Sequence, residues 1–227
     1  MVPPKARLII LVLAGAVVHA GAAFAQKVIS TKAGFVFFVQ GRVSVEGGRL
    51  KTGESYRQLK DGESLSTERG RVEVLLNPGV VLRLGDMSRL RMDDVNLTDA
   101  CVSLESGSAV VTVNDILKTD RFRLIAGGSV IVMKQAGVYR LDVGRLRVFS
   151  GRAEVRRDGG PAKVIAKRGQ AVDLGDGLNV AKFDLKDTDA LQRWANARSF
   201  RPVPRGFGLR AEPPPRFDAQ NASPTGR

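Results

Sequence analysis

The sequence predicts an all-β fold: a two-sheet β-sandwich or jelly-roll-like roll with locally stacked, solenoid-like hairpins, one short C-terminal helix and a disordered tail. Three observations predict it. A phrase of glycine followed by an alternating strand recurs, as in Gly41-Arg42-Val43-Ser44-Val45, Gly70-Arg71-Val72-Glu73-Val74 and Gly151-Arg152-Ala153-Glu154-Val155. Apolar and polar residues alternate with period two along most of the stretch from Phe35 to Phe183, which puts one set of side chains on a core and the other in water. Turn signals cut that stretch into short pieces: Asn77-Pro78-Gly79, Gly127-Gly128, Asp158-Gly159-Gly160-Pro161 and Asp176-Gly177. The glycine phrases are irregularly spaced, which argues for a roll over a strict solenoid.

Taken in order, the chain opens with a targeting signal. Lys5 and Arg7 form a positive region, Leu8 to Val18 an apolar one, and Ala23-Phe24-Ala25 a small-residue cleavage site, so cleavage is expected after Ala25, before Gln26. The competing reading is an uncleaved anchor, since Leu8 to Ala25 carries no formal charge. With residues 1–25 removed the chain is expected to be periplasmic or secreted.

Strands are predicted at Phe35–Val39, Arg42–Glu46, Arg71–Leu76, Val80–Leu84, Arg89–Met92, Cys101–Leu104 and Ser108–Val113. They continue at Arg121–Ile125, Ser129–Met133, Val138–Val143, Arg145–Phe149, Ala153–Arg156, Lys163–Ile165 and Gln170–Leu174. Residues 26–183 form the β domain. A helix follows within 184–198: Asp187-Thr188 offers an N-cap, and Leu191, Trp194, Ala195 and Arg198 recur at helical spacing. Leu191 and Trp194 are expected to dock on the sheet. Residues 199–227 hold six of the ten prolines and five arginines against Glu212 and Asp218. That composition predicts a basic, disordered, partly polyproline tail.

The net charge is +13, and 25 of the 36 basic residues are arginine. Losing Lys5 and Arg7 with the signal leaves +11. An exported chain of this charge meets polyanions outside the cytoplasm, namely acidic protein, anionic glycan or lipid phosphate, so nucleic acid is not expected. Three arginine pairs flank an apolar residue: Arg89 and Arg91, Arg121 and Arg123, Arg145 and Arg147. If Leu90, Phe122 and Leu146 point inward, both arginines of each pair point outward. Three such strands on one sheet would line up six guanidinium groups for anion capture. Alternatively the pairs scatter over both sheets and are merely solvated.

Catalytic chemistry is poorly provided for. His19 is the sole histidine and lies in the signal, so Ser-His and Cys-His pairs are not expected. Cys101 is the sole cysteine, which leaves no intramolecular disulfide and no typical zinc site. It reads either as a reactive thiol or as a small apolar strand residue. Asp86, Asp93, Asp94 and Asp99 cluster between strands. They read as turn residues, with a cation site or glycoside hydrolysis as the rival readings. No enzyme, cofactor or metal site is expected.

Several of these segments, in their order, resemble one known family. Leu59-Lys60-Asp61-Gly62-Glu63-Ser64-Leu65-Ser66-Thr67 resembles the leucine–glycine–threonine signature that opens the FecR domain. Gly70 to Leu84 is similar to its next hairpin. Leu104-Glu105-Ser106-Gly107-Ser108-Ala109 is similar to its repeated leucine-x-x-glycine step, and Gly137-Val138-Tyr139-Arg140-Leu141 to its glycine-led strand. Leu146 to Val155 is similar to its closing hairpin. The likeness covers about Gly34 to Leu174. It implies an all-β envelope domain for sensing and protein–protein contact. The family's best-known members are transmembrane regulators that relay a receptor's state to a sigma factor. Seven residues precede the apolar run here, so what carries over is the domain. The expected function is therefore partner binding in the cell envelope, or alternatively adhesion to anionic envelope glycan or lipid.

Overall fold

The computed structural model describes residues 32–114, 122–175 and 177–199. The signal segment, the cleavage point at Ala25, Arg121 and the tail beyond Ser199 lie outside the described residues. Within them no helix is long and apolar enough to cross a membrane.

The fold is all-β. Its strands are β1 Phe35–Val45, β2 Gly48–Arg49, β3 Gly53–Gln58, β4 Ser64–Asn77, β5 Val80–Leu84, β6 Arg89–Asp94, β7 Cys101–Ser106 and β8 Ser108–Val113. They continue as β9 Arg123–Ala126, β10 Ser129–Met133, β11 Gly137–Asp142, β12 Arg145–Val148, β13 Arg152–Arg157, β14 Lys163–Lys167, β15 Gln170–Asp173 and β16 Val180–Lys182. One helix, α1, spans Ala190–Ser199. The two expected sheets are two halves of one continuous hydrogen-bonded sheet, in the order β14-β13-β10-β9-β7-β6-β4-β5-β8-β11-β12-β15-β16. After β5 the chain lays strands alternately in each half: β6–β7 in one, β8 in the other, then β9–β10, β11–β12, β13–β14 and β15–β16. This alternation is the solenoid-like stacking. The inner faces of both halves meet in one core, where Leu65, Leu90, Leu124 and Ile131 join Leu82, Val111, Leu141 and Leu146.

Two long strands join the halves. The sequence reading breaks the chain at Gly41 and Gly70; the structure runs strands straight through both. β4 pairs with β6 through Ser64–Ser66 and with β5 through Val72–Asn77. β1 follows β4 along both stretches, with Gly41 directly opposite Gly70 and a register shift between Gly41 and Val43. Gly41 has φ 76°, a backbone that L side chains avoid. A Cβ on Gly41 would lie 2.2 Å from the Arg69 carbonyl oxygen, and one on Gly70 2.6 Å from that of Gln40. Two backbones thus cross where no side chain fits, and the ribbon bends there from one half into the other. The glycines act as a bend within strands rather than as turns between them, because each strand has a partner on both sides of the bend.

β2, β3 and β16 are also additions to the expected strands. They are short or polar, and their pairing with β1 and β15 gives them a regularity that their own sequence does not signal.

The bend predicts an asymmetric cost. Gly41→Ala should destabilise the fold by at least about 2 kcal/mol, from the positive-φ penalty and the backbone clash together. Gly47→Ala, also at positive φ but with open space around it, should cost less. Urea denaturation of the two variants checks this; equal midpoints would contradict it.

Candidate interaction surface

The sheet has two outer faces, and they differ. On the half built from β4, β5, β8, β11 and β12, period two turns one residue per strand outward in a transverse row. The register aligns Phe38, Glu73, Arg83, Val110, Arg140 and Arg147 across neighbouring strands. Helix α1 lies over this row. Asp189 caps it: its Oδ1 accepts the Gln192 N–H at 2.8 Å. The cap is therefore Asp189 rather than the expected Asp187-Thr188, and the helix begins at Ala190. Leu191 and Ala195 pack on Val110, with Val138 and Trp194 beside them.

Ion pairs hold both ends of the helix. At its start Asp189 receives the Arg140 guanidinium at 3.0 and 2.9 Å. At its end Arg198 donates to Glu73 Oε2 at 2.5 Å, while Arg83 donates to Glu73 Oε1 at 2.8 Å and to Thr112 Oγ1 at 2.9 Å. The spacing fits. Asp189 to Arg198 spans about 13.5 Å at about 1.5 Å per residue. β11 to β4 is three strand spacings, about 14 Å. Glu73 and Arg83 side chains are only 2% and 5% exposed. Burial pushes the Arg83 guanidinium below its ordinary value; Glu73 opposes that, and Arg198 adds to it. Arg198 also stacks 3.7 Å from the Phe38 ring centre, and Arg71 and Arg198 flank Trp194 at 5.6 and 5.5 Å. Trp194 docks on the sheet as expected and is partly buried in this cationic setting. This face is closed, and its charges are committed.

The six arginines of the expected anion-binding face do not form one stripe. Leu90, Phe122 and Leu146 do point into the core. Yet β6 and β9 flank β7 in one half, while β12 lies in the other, separated from β6 by β4, β5, β8 and β11. Each described arginine also has an acidic partner. Arg89 reaches Glu105 at 2.8 Å, Arg91 reaches Asp93 at 2.7 Å and Glu105 at 3.3 Å, and Arg123 reaches Asp99 at 3.3 Å. Arg145 pairs with Asp173 at 3.5 Å, and Arg147 with Asp142 and Asp187 at 3.6 and 3.5 Å. Arg121 lies outside the described residues.

The four aspartates are likewise engaged. Asp93 accepts from Arg91 and from Ser103 Oγ, Asp94 accepts the Asn96 N–H at 2.8 Å, Asp86 faces Arg71 at 3.6 Å and Asp99 holds Arg123. No group of three or more metal-ligating side chains is gathered among the described residues. Cys101 is buried beside Asp93. Burial pushes its thiol up; Arg123 opposes this, and Asp93, Asp94 and Asp99 reinforce it.

Uncommitted charge is found on the outer face of β13 and β14. There Arg152 stands opposite Lys167, Glu154 opposite Ile165, and Arg156 opposite Lys163. Glu154 receives Lys163 at 3.2 Å and Lys134 at 3.4 Å. Burial works to raise its carboxyl, but the two lysines outweigh that and hold it below its ordinary value. Arg152, Arg156 and Lys167 are exposed and lack a carboxylate partner among the described residues. Ile165 is 40% exposed at the centre. The sequence reading passed over this grid. Its signal is present, as cations four apart in Arg152–Arg156 and Lys163–Lys167, but which strands are neighbours is not.

No family model matches the chain, and no curated protein matches it. Two solved structures do. Both are crystal structures, at 2.50 and 1.65 Å, of a candidate anti-sigma factor from Parabacteroides distasonis ATCC 8503. Identity is 14% and 15%, with TM-scores of 0.44 and 0.45. The matches take in 60% of this chain and span 63% and 64% of those chains, under two thirds of their length.

Two outcomes follow from this geometry. Glu73→Ala leaves Arg83 buried without its anion and should cost about 3–5 kcal/mol. Because Trp194 is the sole tryptophan, its emission should also shift to the red as the helix end is released; an unshifted spectrum and midpoint would contradict the clasp. Native Cys101 should react with iodoacetamide at pH 8 at least about tenfold more slowly than a free thiol of pKa near 8.5, and at the ordinary rate once unfolded.

Proposed function

We propose that this chain is an exported FecR-type domain that acts by binding a partner protein in the cell envelope, without catalysis. The observation that carries the reading is the distribution of charge. The aspartates that would serve acid–base chemistry are bound into ion pairs and turns, whereas Arg152, Arg156 and Lys167 stand around the exposed Ile165 without a carboxylate partner among the described residues. A cationic rim with an apolar centre suits a protein surface, where burial and charge complementarity act together. The order of FecR-like segments from Gly34 to Leu174 supports the same reading, and the signal segment supports the envelope as its place.

Crosslinking in intact cells, followed by mass spectrometry of the captured species, tests it. The expected result is a protein adduct in the envelope fraction that survives moderate salt. Capture of glycan or lipid alone, with complete loss on adding salt, would overturn protein binding in favour of electrostatic adhesion.

A further inference from the structure

We infer that the open edge of β14 accepts an extended acidic segment of a partner protein as an added strand, with carboxylates two residues to either side of an apolar side chain. The inference deepens the partner-binding reading above and rests on it.

Among the described residues the edge is unpaired. β14 is the end strand of the path and pairs with β13 on one side. Arg157 N–H donates to Ala162 O at 2.9 Å. That bond sets the phase of the ladder: Ala162, Val164 and Ala166 turn their backbone groups to β13, and Lys163 and Ile165 turn theirs to the open side. The Lys167 N–H, next in that outward series, is already taken by Gln170 Oε1 at 2.8 Å. Lys163 and Ile165 therefore offer donors and acceptors to an incoming strand.

The charges select that strand. The sheet sets like charges directly opposite each other twice, Arg152 against Lys167 and Arg156 against Lys163, an arrangement that destabilises an isolated sheet. Lysines on an edge strand are a common guard against self-pairing, and Lys163 and Lys167 alone would need no other account. Arg152 and Arg156 do, because β13 is an interior strand with partners on both sides. The four cations bracket Ile165 at a spacing of about 13 Å along the strand. A strand laid alongside places its own side chains at the same period. Residues facing Lys163 and Lys167 would thus be acidic and the one facing Ile165 apolar. A second copy of this grid would bring cation against cation, so the occupant is a different, acidic chain.

The test is fluorescence polarisation of the full chain with a labelled peptide, Thr-Glu-Thr-Val-Thr-Glu-Thr, and its Gln-for-Glu counterpart. The expected result is binding of the acidic peptide that is at least tenfold tighter than the Gln form and weakens steeply with salt. R152Q/R156Q/K163Q/K167Q should weaken it at least tenfold. Ile165→Pro removes an outward N–H without removing a β13 ladder bond and should do the same, while Ile165→Thr keeps that donor and should retain most of the binding. Should Ile165→Pro fail to fold by circular dichroism, the quadruple variant decides. Binding unchanged in the quadruple variant overturns the site. So does tighter binding to vesicles of anionic phospholipid than to the peptide. Absence of peptide binding, with cellular crosslinks mapping to other strands, overturns this site and leaves partner binding standing; absence of any protein crosslink overturns partner binding itself.

Discussion

The crossing of β1 and β4 at Gly41 and Gly70 is the constraint on which the remaining architecture depends. One half of the sheet hangs on β4 through β6, the other through β5. Every later strand is added outward from one of those two. If the ribbon could not bend, Leu65 and Leu90 would not face the same core as Val74 and Leu82. The bend needs two backbones closer than any Cβ allows, so the requirement falls on two residues whose side chains contribute nothing to the core.

From that bend come two outer faces, one with its charges neutralised and one cationic. On one, the helix spans the distance between Arg140 and Glu73 and neutralises what the strands bury. Glu73 holds two guanidinium groups, one per carboxylate oxygen, which satisfies a buried anion that would otherwise be costly. The apolar contact is a small cluster, Leu191 and Ala195 on Val110 with Val138 and Trp194 beside them, so charge and length match position the helix together with hydrophobic burial. On the other face, Arg152, Arg156, Lys163 and Lys167 surround a single carboxylate, Glu154, and nothing among the described residues covers them. The same alternation that makes a core thus yields one surface that is finished within the chain and one that is not.

Much of the fold was legible in the residues. Alternation placed Leu90, Phe122 and Leu146 inward and their flanking arginines outward, and the structure agrees at every described position. The turn signals at Asn77-Pro78-Gly79, Gly127-Gly128 and Asp158-Gly159-Gly160-Pro161 separate β4 from β5, β9 from β10 and β13 from β14. What misled was glycine: a residue that permits a turn equally permits a bend inside a paired strand, and only the partner strand decides between them. Asp187-Thr188 offered a cap, whereas the demand of Arg140 and the position of Val110 make Asp189 the cap.

Side-chain period is a local property, set by the pleat of each strand, and the sequence by itself determined it: the all-β class, the inward set, the outward set and the docking residues of one late helix. Strand neighbours are a non-local property. Nothing within β6, β9 or β12 states that β7 lies between the first two and that the third belongs to the other half. Nothing within β13 or β14 states that Arg156 will face Lys163. A surface is built from such juxtapositions, so the tertiary structure alone decided that the arginine pairs are dispersed and neutralised, and that the uncommitted charge gathers at the β14 edge.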